Sequence, residues 1–194
     1  MSTLPKSYLT PEQYLELDRK AEFRSEYYDG EMFAMSGASL AHVRIVAKAM
    51  RDLGQQLRGA RCEPFSNDLR VRVTPKLYAY PDIVIVCGEP QFADDTFDIL
   101  LNPSVIIEVL SKSTEACDRG LKARQYRTLQ SLSEYVLVSS LQVSAELYTR
   151  QPGGHWMLTE KESLQDSLDL ESVGCRLLLA DLYEKVDFSP PQPA

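Results

Sequence analysis

Two strand-like segments each carry a carboxylate, and a lysine-bearing helical segment follows the second one. Asp82 lies at the start of the apolar run 82–86, and Glu108 lies 26 residues later inside the run 105–110. A buried carboxylate is costly unless it has a partner or a metal ion. Mg²⁺ binds one or two protein carboxylates and completes its shell with water and substrate phosphate. The pattern predicts a Mg²⁺-dependent phosphodiesterase site, with a lysine stabilising charge on the phosphate.

Two lysines follow Glu108 closely enough to supply that charge. Asp118, Lys122 and Tyr126 recur at intervals of four, so they share one face of the predicted helix, which can overlook the carboxylates if the helix packs along the sheet. Lys112 lies on the same strand face as Glu108 only if the strand continues through residue 111. The residues alone leave both lysines open.

The bulk properties indicate an ordinary globular protein. At 194 residues, with 44% hydrophobic and 25% charged residues, the chain can form one core. We expect an N-terminal arm (1–8), a single domain (9–187) and a Pro-rich tail (188–194). The absence of a membrane-length apolar run and of a signal-peptide pattern predicts a cytoplasmic protein without a membrane partner.

Charge and cysteine content exclude some classes of function. A net charge of −7 argues against a general nucleic-acid coat protein, although residues 109–130 have a local basic excess. The four cysteines form no CxxC pair, so we expect buried or semi-buried thiols rather than a zinc site.

The positioning elements can be read from caps, turns and periodicity. Thr10 and Pro11 predict a helix through about Lys20, and Asp29-Gly30 predicts the turn of a hairpin over residues 26–33. A longer helix is expected from about 39 to 58, and a helix over 117–129. The predicted apolar stripe of the long helix consists of Val43, Val46, Met50, Leu53 and Leu57.

Strands are expected at several further places. Residues 69–73 alternate as a half-exposed strand does, whereas 83–86 and 105–109 are typical of central strands covered on both faces. Another buried strand is expected at 134–138, a hairpin over 143–160 around Pro152-Gly153-Gly154, and a short helix over 180–185.

The carboxylate segments carry a family resemblance. Pro81-Asp82 followed by Glu108 resembles the PD-(D/E)XK nuclease signature, and the chain is more similar to the Uma group, a bacterial branch of that superfamily. The matching segments, quoted in order, are EYYDGE (26–31), SLAH (39–42), YPDIVIV (80–86), IEVLS (107–111), DRGLK (118–122) and EYVLV (134–138). The resemblance implies an α/β fold with a restriction-endonuclease-like core. A central mixed β-sheet would be flanked by helices, with an N-terminal helix and hairpin and a C-terminal hairpin.

The same resemblance implies roles for individual residues. Asp82 and Glu108 would bind Mg²⁺ or Mn²⁺, and Glu26 would be a further catalytic acid. Leu110 stands where the superfamily signature has lysine; in this branch the lysine comes from the following helix, which favours Lys122 over Lys112. The residues that could contact substrate are His42, Lys112, Arg119 and Tyr126.

For four residues the sequence leaves a structural alternative. From spacing alone, Glu26 is a surface carboxylate of the hairpin. His42 is either a phosphate contact, a partner of Glu26 or a semi-buried structural histidine. Packing is the favoured interpretation for Tyr126. Asp68 is assigned to capping or a turn rather than to an outer carboxylate.

The function implied is hydrolysis of nucleic-acid phosphodiesters, with DNA as the expected substrate and a homodimer as the expected assembly. One alternative is an inactive nuclease-fold protein that binds nucleic acid or a protein partner, and another is a phosphohydrolase with a different substrate. No helix-turn-helix, zinc finger or basic tail is visible, so the sequence names no recognition module.

Overall fold

A computed structural model describes residues 8–35 and 37–188. Within them the helices are α1 Pro11–Lys20, α2 Leu40–Gln56, α3 Glu115–Cys117, a π-helical turn Asp118–Lys122, α4 Ala123–Tyr126 and α5 Leu179–Leu182. The strands are β1 Ser25–Tyr28, β2 Glu31–Ala34, β3 Cys62–Ser66, β4 Arg70–Thr74, β5 Leu77–Ala79, β6 Ile83–Cys87, β7 Ile99–Leu100, β8 Val105–Leu110, β9 Glu134–Ser139, β10 Ala145–Arg150, β11 Trp156–Lys161, β12 Ser167–Leu170 and β13 Cys175–Leu178.

A mixed six-stranded sheet in the order β11-β10-β9-β8-β6-β3 forms the centre of the fold. Strands β6 and β8 are antiparallel neighbours inside it, which confirms that the segments with Asp82 and Glu108 are adjacent. Strands β8 and β9 are parallel, so the chain must cross over between them. The helical segment from α3 to α4 is this crossover.

Both faces of the central strands are buried, as their continuous apolar runs predict. Ile83, Ile85 and Ile107 lie in one cluster with Ile45 and Leu53 of α2. Alternate residues of the same strands lie in a second cluster on the other face, which includes Val84, Ile106, Leu110 and Tyr126. Glu108 shares the parity of Ile106 and Leu110, so its side chain points to the face covered by the crossover helix.

A second sheet, in the order β2-β1-β5-β4-β7, carries the N-terminal hairpin. Its turn is the predicted Asp29-Gly30 pair, and both residues have positive φ values of 43° and 97°. Helix α1 begins as predicted, because the Thr10 side chain and Gln13 form a reciprocal capping box. Tyr14 of α1 packs against Tyr27 and Tyr78, which joins the helix to this sheet.

Three details of the predicted elements were wrong. Val43 is 50% exposed, and Ile45 and Ala49 are buried in its place, whereas the other predicted members of the α2 stripe do pack against the core. The crossover helix ends at Tyr126 rather than near residue 129, and it contains a π-helical turn. Arg70 of β4 is 1% exposed, so this strand is not half-exposed at that position.

The cysteine prediction was wrong for three of the four residues. Cys62 and Cys87 are directly opposite each other on β3 and β6 and form a disulfide, with 3.9 Å between their Cα atoms. Cys117 is a free, exposed thiol. Only Cys175 is a buried thiol as expected.

The C-terminal part adds elements that the sequence did not indicate. Strands β12 and β13 form a two-stranded antiparallel sheet. The predicted β10–β11 hairpin is present, whereas α5 covers only the first part of the helix predicted near residue 180. The predicted arm and tail lie almost wholly outside the described residues. In the described part of the chain, no helix has both the length and the apolar character needed to cross a bilayer.

Candidate active site

Asp82 lies just before β6, where hydrogen bonds from two other elements fix its carboxylate. The Val109 amide of β8 donates to Asp82 Oδ2 over 2.7 Å, and His42 Nε2 of α2 lies 3.1 Å from the same oxygen. The Asp82 amide in turn donates to Glu108 Oε2 over 3.3 Å. The sheet register therefore brings the two predicted carboxylates side by side.

Glu108 is 4% exposed and has polar partners from the crossover helix. Tyr126 donates its hydroxyl to Glu108 Oε1 over 2.9 Å, and Lys122 Nζ lies 3.4 Å from the same atom. A buried carboxylate with no partner would be strongly destabilising. These contacts make Glu108 tolerable in the middle of an apolar strand.

Lys122 lies among three carboxylates. Its Nζ is 2.8 Å from Glu26, 3.4 Å from Glu108 and 3.3 Å from Asp118. Asp118 and Lys122 begin and end the π-helical turn, so this irregular stretch of backbone presents both side chains to the same cluster. Lys112, the alternative lysine, is exposed beyond the end of β8.

Glu26 comes from the N-terminal hairpin, far from the others in sequence. Besides Lys122, its Oε1 accepts a hydrogen bond from the Tyr80 amide over 3.2 Å. Tyr80 precedes Pro81-Asp82, so this bond connects the hairpin to the segment that carries Asp82. The structure thus brings together the four residues predicted to be catalytic.

Burial and mutual charge shift the pKa values of the cluster. Burial raises the pKa of Glu108 to about 8; the Lys122 charge opposes this shift, and the nearby carboxylates of Asp118, Asp82 and Glu26 add to it. Burial also raises the pKa of Asp118. Burial alone would lower the pKa of Lys122, but the surrounding carboxylates raise it well above its ordinary value.

The cluster contains more acidic than basic side chains. On the basic side are the ammonium of Lys122 and, when it is protonated, the imidazole of His42. The four carboxylates that contact these two groups belong to Glu26, Asp82, Glu108 and Asp118. Among residues 8–35 and 37–188, no group of three or more Asp, Glu, His or Cys side chains is arranged to hold a metal ion. The donor set fits an ion that takes two protein carboxylates and otherwise water and phosphate.

The remaining predicted residues have varied environments. His42 contacts Asp82 rather than Glu26, and its Nδ1 is buried without a hydrogen-bond partner among the described residues. Tyr126 does more than pack, since its hydroxyl binds Glu108. Arg119 pairs with Glu115 and Glu146 instead of facing the cluster. Asp68 lies in an exposed turn, as expected.

Asp118 is the member of the cluster that sequence analysis did not assign to the site. Its spacing of four from Lys122 was the available signal, because residues so spaced lie on one face of a helix. Its burial could not be inferred, because an acidic residue near a helix start is usually exposed and favourable to the helix dipole.

Comparisons with known proteins find relatives over most of the chain. Residues 11–180 match the Uma2 family model, described as "Putative restriction endonuclease". The uncharacterized proteins slr1290 and sll1609 of Synechocystis sp. are each 34% identical, the first over 95% of this chain and 96% of its own length, the second over 78% and 86%.

A solved structure has the same fold. It is the crystal structure of a protein from Anabaena variabilis described as "a putative nuclease belonging to DUF820". The TM-score is 0.75 at 17% identity, over 90% of this chain and 97% of that one. The fold class expected from the resemblance, a restriction-endonuclease-like α/β core, is confirmed. With nearly the whole chain matched, this protein belongs to the Uma2 family.

Proposed function

We propose that the protein is a divalent-metal-dependent endonuclease that hydrolyses DNA phosphodiester bonds. The observation that carries this proposal is the placement of Asp82 and Glu108 beside the buried ammonium of Lys122: the Asp82 amide donates to the Glu108 carboxylate, and the amide of Val109, the residue after Glu108, donates to the Asp82 carboxylate. The family match supports nuclease chemistry. We also propose that the protein is cytoplasmic and that it forms a homodimer. Sedimentation of the purified protein would test the dimer.

Asp82 and Glu108 are the residues that would hold Mg²⁺ or Mn²⁺. Both contacts to Asp82 involve Oδ2, and among the described residues none donates a hydrogen bond to Oδ1. The excess of carboxylates over basic groups gives the cluster a negative potential that attracts a cation. A divalent ion bound here would polarise the phosphate and lower the pKa of water.

The protein's own side chains then have separate tasks. Lys122 keeps its proton, because the carboxylates around it raise its pKa. Its fixed positive charge would stabilise the negative charge that develops on the phosphate during the reaction. Glu26 is the acid best placed to orient a water molecule or accept its proton, since its carboxylate is the most exposed of the three around Lys122, at 20%. His42 orients Asp82.

Metal binding is the first test, because it does not depend on guessing the substrate. Mn²⁺ would be titrated calorimetrically into the parent, Asp82→Ala and Glu108→Ala. Glu134→Gln is a matched control: Glu134 is a 1% exposed carboxylate on β9 whose partner is Ser172. We expect the first two variants to lose binding and the control to retain it.

Cleavage and binding of DNA test the rest of the proposal. A supercoiled plasmid reports nicking in Mn²⁺, and the Lys122→Met variant should be inactive on it. If Mn²⁺ binds but no DNA is cut, salt dependence of DNA binding separates the alternatives. A log–log slope of about 0.9 per contacted phosphate indicates a DNA-binding protein without activity, and a flat response excludes nucleic acid.

A further inference from the structure

We infer that Asp18 is a positioning residue that holds the two backbone segments bearing Glu26 and Asp82 in register. The inference rests on the proposed function, because those two carboxylates are its active-site acids. Asp18 is in the last turn of α1, is fully buried, and contacts neither Lys122 nor Glu108 among the described residues. Its effect on the site would be through its neighbours.

The first connection leads to Glu26. Asp18 Oδ1 accepts a hydrogen bond from the Ser25 amide over 2.8 Å, and Tyr14 of the same helix donates its hydroxyl to the Ser25 carbonyl over 2.7 Å. Both backbone groups of Ser25 are therefore held by α1. Because Ser25 directly precedes Glu26, α1 fixes where the chain enters the site.

The second connection leads to Asp82. Asp18 Oδ2 accepts a hydrogen bond from the Tyr80 hydroxyl over 2.6 Å. Tyr80 is separated from Asp82 by Pro81 alone, and the fixed φ of proline stiffens this link. The Tyr80 amide also binds Glu26 Oε1 over 3.2 Å. One carboxylate thus binds the residue before Glu26 and the residue two before Asp82.

Arg70 holds this carboxylate in place. Its Nη2 donates to Asp18 Oδ2 over 2.6 Å, and its Nη1 donates to Asp98 Oδ2 over 3.0 Å. The guanidinium carbon also lies 5.5 Å and 5.3 Å from the ring centroids of Tyr14 and Tyr80. Removing one partner of a buried ion pair is strongly destabilising, so Arg70 restrains the carboxylate that joins α1 to both segments.

Tyr80→Phe is the variant of choice, because Asp18→Asn would leave Arg70 without its buried partner and could unfold the chain. Tyr80→Phe removes one hydroxyl and leaves the ion pair intact. The matched control is Tyr183→Phe, which removes a buried hydroxyl bonded to the Ser139 and Ser144 carbonyls and to none of Asp18, Glu26 or Asp82 among the described residues.

Amide hydrogen exchange without metal provides the direct measurement. The amide at position 80 reports its bond to Glu26, and the Val109 amide reports its bond to Asp82. We expect Tyr80→Phe to reduce protection at both amides about tenfold while the Ile106 amide stays protected, and Tyr183→Phe to leave all three unchanged. Unchanged protection in Tyr80→Phe, or an equal loss at Ile106, overturns the inference.

Mn²⁺ titration then measures whether the positioning of Glu26 and Asp82 affects metal affinity. Loss of a supporting partner behind metal ligands weakens metal binding by about 10- to 100-fold, so Tyr80→Phe should bind Mn²⁺ at least about tenfold more weakly than the parent and Tyr183→Phe equally well. Equal affinity in Tyr80→Phe contradicts the inference. A parent that binds no Mn²⁺ contradicts the proposed function alone, since the exchange measurement decides the inference without metal.

Discussion

Replacing Lys122 by methionine tests the charge balance of the site most directly. The change removes the ammonium but keeps an unbranched side chain of similar length. Glu26, Glu108 and Asp118 then lose a positive charge at 2.8, 3.4 and 3.3 Å respectively. Glu108 and Asp118 are buried, so water cannot replace the missing partner.

The size of the effect follows from these distances. At an effective dielectric constant near 20, each contact is worth about 5 kcal/mol of attraction, and most of this is cancelled by the cost of taking the ammonium out of water. Removing one partner from a buried ion pair typically costs about 3–5 kcal/mol. We expect Lys122→Met to lose that much free energy of unfolding at pH 7 without metal.

Acid should restore part of the lost stability. Without Lys122 the folded state holds Glu108 and Asp118 with pKa values raised further above their unfolded values, so it binds more protons than the unfolded chain. The share of the penalty that comes from Glu108 therefore develops as pH rises above about 8, its pKa in the parent, and the share that comes from Asp118 develops at lower pH; below both ranges the penalty shrinks. Mn²⁺ should also stabilise the variant, because a bound cation replaces the missing charge.

Urea unfolding at about pH 9, at pH 7 and at about pH 5, with and without Mn²⁺, measures these effects. Lys48→Met is the control: Lys48 is 12% exposed, like Lys122 at 9%, but pairs with one half-exposed carboxylate, Glu184, over 3.3 Å. The control should cost about 1 kcal/mol or less and be insensitive to Mn²⁺. An equal loss in both variants, or a Lys122→Met penalty that does not depend on pH, would refute the reasoning.

Three further outcomes are expected. Tyr126→Phe leaves Glu108 without its hydroxyl donor and should lower the free energy of unfolding by about 1–3 kcal/mol; an unchanged urea midpoint contradicts this. Asp98→Asn should cost about 1–2 kcal/mol at pH 7. Arg19 first and Thr96 and Arg70 next hold the pKa of Asp98 below its ordinary value, so the difference from the parent in urea titrations should begin to shrink once pH falls below about 4 and continue to shrink towards the lowered pKa. Reducing the Cys62–Cys87 disulfide should cost about 3 kcal/mol, measured by unfolding with and without reductant, with the Cys62→Ala variant showing no effect of the reductant.

Local signals predicted the two strand segments of the candidate site well. An apolar run interrupted by one carboxylate indicates a central strand with a polar task, and both Asp82 and Glu108 were found by this reasoning. The hairpin turn at Asp29-Gly30 and the cap at Thr10 were equally clear, because each depends on adjacent residues alone.

Features that depend on distant pairing were not predictable in the same way. The disulfide needs β3 and β6 to align Cys62 with Cys87, yet β3 contains a proline and shows no clear alternation. The burial of Arg70 depends on Asp18, 52 residues away in the chain. The sequence around Arg70 looks half-exposed because its partner is supplied by another element.

The π-helical turn makes the active-site helix tolerant of substitution but intolerant of deletion. A methyl group added at Gly120 would meet no other atom within 4 Å, and Gly120 does not have a positive φ, so a larger residue fits there. Removing that residue is different. The turn would shorten to an ordinary α-helical one, and the residues before it would rotate by about 100° relative to those after it. Asp118 would be three residues from Lys122 instead of four, and it would be displaced from its present position relative to Lys122 and Glu108. In this segment the geometry of the site depends more on how many residues the turn contains than on which residue stands at position 120.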